Sequence, residues 1–157
     1  NLDLVSLVFK PALTVTKTSV AFSDGVSAIN PKMVSGAVAE YTIRATSPAS
    51  YTVTNNSILI GDATPANSAL VVTDIIGAGS GPAAFTAGTS GLTYSFISLA
   101  SAADDIEFSN NNGLSWTYTP VTGANGTDPA VTNVRLRPKG VMAANTTLQF
   151  RLRYRVN

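Results

Sequence analysis

Leu148-Gln149-Phe150-Arg151-Leu152-Arg153-Tyr154-Arg155-Val156-Asn157, the last ten residues, alternate without a slip. Leu148, Phe150, Leu152, Tyr154 and Val156 fall on one side of an extended chain, and Gln149, Arg151, Arg153 and Arg155 on the other. Side chains on a strand alternate between its two faces, so this is a strand with one face on a core and one in water.

Working back from that strand, the same period recurs. Tyr41, Ile43 and Ala45 alternate with Thr42, Arg44 and Thr46, and Leu92, Tyr94 and Phe96 alternate with Thr93, Ser95 and Ile97. Strands are expected at Leu2–Phe9, Leu13–Val20, Val38–Thr46, Ser50–Ile60, Leu70–Ile75, Leu92–Leu99, Ile106–Ser109, Ser115–Thr119, Ala130–Arg137 and Thr147–Val156. Between them fall turn-forming clusters: Ser23-Asp24-Gly25, Asn30-Pro31, Ser47-Pro48, Thr64-Pro65, Gly77 to Gly91, Asn110 to Gly113, Gly123 to Pro129 and Pro138-Lys139-Gly140. The nearest rival to an all-β reading is Leu99 to Phe108, which has room for one helical turn. Many short strands at short intervals are the signature of two antiparallel sheets packed face to face.

The 157 residues suit one domain, which at this size buries about two-thirds of the surface of its unfolded chain. Residues 1–11 read as an extension and 12–157 as the sandwich. With neither histidine nor cysteine, the chain lacks the residues most used as general base, thiol nucleophile or soft metal ligand. A Ser-His-Asp relay is impossible. Asp104 and Asp105 are adjacent and diverge if extended, which argues against a glycosidase pair. No enzyme activity, cofactor or metal is therefore assigned. At 12% charged residues and a net charge of +1, nothing resembles a nucleic-acid channel. No apolar run reaches membrane-spanning length. A first residue Asn1 rather than Met is what removal of an export signal leaves, and a cut made in preparing the chain would look the same.

Several groups invite sharper readings. Gly77-Ala78-Gly79-Ser80-Gly81-Pro82 is rich in glycine but lacks the Gly-Lys-Ser/Thr ending and following helix of a phosphate loop, and reads as a β-connection. Asp24, Asp62, Asp74, Asp104, Asp105, Glu107 and Asp128 are of the type calcium prefers, yet no calcium-loop spacing is present and they are expected in solvated turns. Asn110 to Gly113 is expected to turn through a left-handed residue. Sequons at Asn55, Asn125 and Asn145 are satisfied by the crowding of Asn, Gly, Ser and Thr in turns. Lys17 or Lys10, Asn133 and Glu40 are the residue types of an intramolecular isopeptide bond. Trp116 and Tyr118 stand two apart, either as a core anchor or as a stacking platform for a sugar. The arginines at 135, 137, 151, 153 and 155, with Lys139, gather near the C-terminus, on a solvated face or against an anionic partner such as surface polysaccharide. Trp116, Tyr118, Arg151, Arg153 and Arg155 are thus the candidate ligand surface.

A core is expected from Leu13, Val15, Tyr41, Ile43, Val72, Leu92, Tyr94, Phe96, Trp116, Val134, Leu136, Phe150, Leu152 and Tyr154.

Ordered pieces along the chain carry a resemblance: Leu13 to Thr18, Asn30-Pro31-Lys32, Ser35-Gly36-Ala37, Tyr41-Thr42-Ile43, Pro65 to Leu70, Val72-Thr73-Asp74, Gly77 to Pro82, Asp104 to Ser109, Thr117 to Pro120, Asp128 to Thr132, Pro138-Lys139-Gly140 and Phe150 to Arg153. From about Leu13 to the end the chain resembles the bacterial cell-surface repeat family called the domain of unknown function eleven. It departs from that pattern at Ser47-Pro48-Ala49 and Met33 to Gly36, both in turns. The resemblance implies an immunoglobulin-like β-sandwich at the bacterial cell surface, without catalytic residues, in architecture or attachment.

The front of the chain lies outside that resemblance. In Leu2–Phe9, Leu2, Leu4 and Val8 share one face, and Val5, Leu7 and Phe9 the other, interrupted by Asp3 and Ser6. A segment apolar on both faces is an aggregation hazard as a free tail. Either it returns in cis to its own sandwich, or, hinged at Lys10-Pro11, it fills a groove in the next subunit. The second expectation makes the chain a subunit of an extracellular, pilus-like homopolymer with head-to-tail contacts; the alternative is a surface adhesion or carbohydrate-binding module.

Overall fold

The structure, a computed structural model, describes residues 12–27 and 29–157; the expected Leu2–Phe9 strand and the 1–11 extension lie outside the described residues. Among the described residues, nine strands follow one another as β1 (Thr14–Ser23), β2 (Val38–Thr46), β3 (Ile60–Ala63), β4 (Ser68–Val71), β5 (Ala83–Thr86), β6 (Ile106–Ser109), β7 (Thr127–Asp128), β8 (Asn133–Leu136) and β9 (Thr147–Val156). They form two packed antiparallel sheets, a β-sandwich, as expected. The larger runs β1-β2-β9-β4-β7 with β5 also on β9, and the smaller β3-β8-β6.

The alternating C-terminal segment is the centre of the larger sheet. β9 pairs with β2 over its whole length, from Val38↔Arg155 to Thr46↔Thr147. Its other flank is shared by β5, from Ala83↔Leu152 to Thr86↔Gln149, and by β4, with Ser68↔Val156. Leu148, Phe150, Leu152 and Tyr154 are each 0% exposed, while the intervening Gln149, Arg151 and Arg153 are half-buried on the outer face. Opposite them the smaller sheet supplies Ile60, Ile106, Phe108, Val134 and Leu136 to the same cluster. Phe150 packs against Phe85 at 4.8 Å and edge-on to Tyr94 at 5.2 Å. Each large buried side chain contributes roughly 1.5–3 kcal/mol of apolar burial.

Most expected core residues are there, but two are not. Val15 is 55% exposed, because β1 lies at the edge of the larger sheet, beyond the smaller sheet's cover. Trp116 is half-buried and outside the core cluster.

Strand expectations failed where pairing is settled by distant residues. Segment 50–60 is irregular, held by one bridge between Val53 and Met142, until β3 begins. Segment 92–99 is extended but forms no strand: its N–H groups at Ser95, Ile97 and Ser98 donate to the carboxylates of Asp105 and Asp104. Segment 115–119 makes a single bridge, Tyr118↔Phe108. Conversely β5 and β7 fall in stretches expected to be turns. Segment 99–105 makes no helical turn; a short 3-10 turn lies instead at Ala124–Gly126.

Turn chemistry follows the sequence closely. All non-glycine residues with positive φ among those described are asparagines, Asn56, Asn67, Asn112, Asn125 and Asn145; a short polar side chain tolerates the left-handed region best. Asn112 and Gly113 make the expected left-handed turn. The sequon residues Asn125 and Asn145 are exposed turn positions of the same kind.

Candidate functional site

Among the described residues, the sandwich is open along one flank. β1 pairs with β2 on one side, and among the described residues no strand pairs with its other side. β3 is likewise the outer strand of the smaller sheet. The two edges face each other, because Lys17 of β1 reaches across to donate to Asp62 of β3, passing over the Tyr41 ring with its ammonium 4.7 Å from the centroid.

On the inward side of β1, Val15, Lys17, Ser19 and Ala21 stand beside Ala45, Ile43, Tyr41 and Ala39 of β2. The outward side carries Thr14, Thr16, Thr18, Val20 and Phe22. Every residue from Thr14 to Val20 is exposed, with Val20 at 61%. A strand exposed on both faces is held only by its single ladder, the Lys17 contact and Phe22, whose ring lies 3.5 Å from the Arg153 guanidinium. Adjoining this flank is a hollow of about 310 Å³ lined by Met33, Ala39, Tyr41, Tyr154, Val156 and the 65–68 turn. Small residues at Ala39 and Ala21 leave space where the neighbouring column carries Tyr154.

Asp62 anchors the flank from below. It is 6% exposed and accepts from Lys17 and, at 2.9 Å, from the Tyr154 hydroxyl. Burial holds the Tyr154 pKa well above the ordinary phenol value, and the charge and hydrogen bond of Asp62 push the same way.

Of the seven acidic residues expected in solvated turns, four are buried instead, Asp62, Asp104, Asp105 and Asp128. Asp128 accepts from the Tyr118 hydroxyl and from the Val121 and Ala130 amides. Asp24 does lie in an exposed turn. The amides of Ser27, Lys32 and Val26 donate to it and pull its pKa down to about 2. In the glycine-rich segment, Asp74 accepts from Gly79 and Gly81. A carboxylate therefore occupies the position that an anionic phosphate would need.

The candidate ligand surface is dispersed. Arg151 and Arg153 both donate to Glu40, at 3.2 and 2.9 Å, on the outer face of the larger sheet, with Arg155 further along β9. Arg135 and Arg137 lie on the smaller sheet and bind Glu107 at 2.6 and 2.9 Å. Burial alone would raise the Glu107 pKa, but bonds and charge from Arg135 and Arg137 outweigh it and lower it. The arginines thus belong to two opposite sheets, not one patch. Trp116 stacks on Arg135 at 4.4 Å, whereas Tyr118 packs against the core and bonds to Asp128. The two rings do not form a shared platform. Nor do the isopeptide candidates meet: Lys17 is on Asp62, Glu40 is on the two arginines, and Asn133 is on β8. Lys10 and the donor-strand candidates Leu2, Leu4, Val5, Leu7, Val8 and Phe9 lie outside the described residues.

The open flank was not foreseen as a site. Its signal was present in β1, where the alternation Val15-Thr16-Lys17-Thr18-Ser19 has no strongly apolar side. No helix among the described residues is long and apolar enough to cross a membrane. No family model matches the chain, and comparisons with curated proteins and with solved structures give no match.

Proposed function

We propose that this chain is a structural subunit of an extracellular bacterial surface filament, polymerising by donation of its N-terminal strand to a neighbouring subunit; membership of the surface-repeat family is part of the same proposal. One observation carries it. The segment apolar on both faces stands four residues before an edge strand that, among the described residues, pairs on one side only and is exposed from Thr14 to Val20. Main-chain hydrogen bonds supply affinity in strand addition, and side chains in pockets supply specificity. Each large apolar side chain fully buried adds roughly 1.5–3 kcal/mol. Donor and acceptor are different surfaces, so the contact is heterologous and repeats into an open fibre. Deleting residues 1–10 is expected to abolish fibres in negative-stain micrographs while leaving a folded monomer by circular dichroism. Fibres formed by the deleted protein would overturn the proposal.

A second reading, a carbohydrate-binding surface module, is favoured by Trp116. Its half-exposed ring borders a cleft of about 300 Å³ that also includes Ser101, Glu107, Thr117 and Thr119. Arg135 takes one face of the ring and, with Arg137, the Glu107 carboxylate, so a sugar would stack on the other face beside the hydroxyls. A glycan array with Trp116→Ala as control decides it: binding lost with the fold retained supports this reading, and no binding by the parent protein removes it.

A further inference from the structure

We infer that the acceptor site is the free edge of β1, and that its occupant is residues 2–9 of a second copy of this chain, laid alongside β1 over the gap to β3. The inference rests on the filament proposal and specifies where the donated strand goes.

Natural edge strands are normally guarded by charge, proline, a central bulge or very short length. β1 has none of these where it matters. It is ten residues long and contains no proline. Its one charge, Lys17, is turned inward onto Asp62, and its bulge sits at the far end, between Ala21 and Ser23. An edge so unprotected is a template for another strand.

Length separates the two candidate edges. Leu2–Phe9 extended covers about 27 Å at 3.3–3.4 Å per residue, which matches β1, whereas β3 has only four residues. Side-chain chemistry agrees. An added strand finds β-branched Thr16, Thr18 and Val20 on one face. On the other it finds Val15, Ser19 and Ala21, small or apolar, with Lys17 among them neutralised by Asp62 across the gap to β3, and next to the hollow at Met33, Ala39 and Tyr41. β-Branched partners and neighbours with room beside them are what leucine, valine and phenylalanine pack against across a ladder.

The double-sided apolar pattern selects a second copy over a hairpin in cis. A strand on this edge turns one face to the gap and the other outward. In a hairpin the outward face stays in water. A strand arriving from a neighbour brings that neighbour's own domain close to it, since only Lys10 to Leu13 separate Phe9 from the start of β1, and that domain supplies a surface against which the outward face can be buried.

The absence of cysteine from the chain makes disulfide mapping clean. A tagged Val5→Cys protein is co-assembled with an untagged partner carrying Thr16→Cys, Thr18→Cys or Val20→Cys on β1, or Gly61→Cys on β3. Leu4→Cys runs in parallel, because Leu4 lies on the opposite face. A mixed tagged–untagged dimer on a non-reducing gel with at least one β1 cysteine, and none with Gly61→Cys, is the expected result. Linkage to Gly61→Cys alone, or no linkage to β1 in fibres that still form, overturns the acceptor assignment and leaves the filament proposal standing. When Val5→Cys and Thr18→Cys are placed in one diluted chain, an intrachain bond in place of the mixed dimer overturns it in favour of a hairpin. If the parent protein forms no fibres, the filament proposal fails and this one with it.

Discussion

At the scale of single residues, the Asp62 cluster shows how a polar group is afforded inside the sandwich. Its carboxylate is buried, and two donors from two different strands of the larger sheet satisfy it, Lys17 of β1 and Tyr154 of β9. Removing one partner of a buried group costs about 1–3 kcal/mol. Tyr154→Phe is therefore expected to lower the unfolding free energy by that amount in urea, at unchanged slope. The alkaline limb adds a second readout. The folded-state pKa of Tyr154 is raised, so its contribution is fully present below the unfolded phenol value near 10 and is lost as pH rises through the folded one. The phenylalanine variant should lose less stability above about pH 10 than the parent. Equal losses in both proteins would show that Tyr154 is not the group responsible. The alternation of 148–156 was enough to turn Tyr154 inward. The carboxylate beneath it was not legible, because Asp62 arrives from a strand 92 positions away and nothing local marks it as buried.

At the scale of elements, strands with strict alternation and their own ladders could be read directly: β2, β6 and β9 have the bounds that their patterns suggest. Segment 92–99 carried an equally apolar pattern and failed, since after the single bridge of Thr93 to Lys139 the amides of Ser95, Ile97 and Ser98 go to Asp105 and Asp104 instead of a neighbouring strand. Alternation reports which side faces the core, not which partner takes the hydrogen bonds. β5 was hidden for the opposite reason, inside a glycine-rich stretch whose glycines shape its flanks. Gly88, just after β5, has φ +57°, and an added Cβ would lie 2.7 Å from the Thr147 carbonyl oxygen at the start of β9. The obstacle is backbone, so either the turn or the central strand must shift. Gly88→Ala is expected to cost about 1–3 kcal/mol, the range for a residue forced into sparsely populated backbone space, read as a lowered thermal midpoint. An unchanged midpoint would mean that the turn relaxes freely and does not hold β5 against β9.

At the scale of the whole molecule, the two sheets are unequal among the described residues, six strands against three, and the outer strand of the larger one follows shortly after an apolar segment. Of the proposed contact, the candidate donor segment could be picked out in the sequence, because apolarity on both faces is a local property. For the proposed acceptor the sequence held only the weak mark that 15–19 has no strongly apolar side; that β1 is an edge is set by the strand order of the larger sheet. An assembly built on that edge stores its energy in backbone ladders and apolar contacts rather than in exposed ion pairs. Salt of about 1 M, which screens charges beyond about 3 Å, should therefore leave fibres intact in a sedimentation assay. A fold completed by its neighbour is also stabilised by that binding, so fibres should outlast the monomer lacking residues 1–10 in heat and denaturant. Leu4 and Leu7 occupy opposite faces of the segment, and a carboxylate at either places a charge in an apolar setting at a cost of several kcal/mol. Leu4→Asp and Leu7→Asp should each shift subunits from the pellet to the supernatant. If only one does so, the strand is covered on a single face and sits as a hairpin would; if neither does, the segment is no donor at all and the Trp116 cleft becomes the better guide to what this protein does.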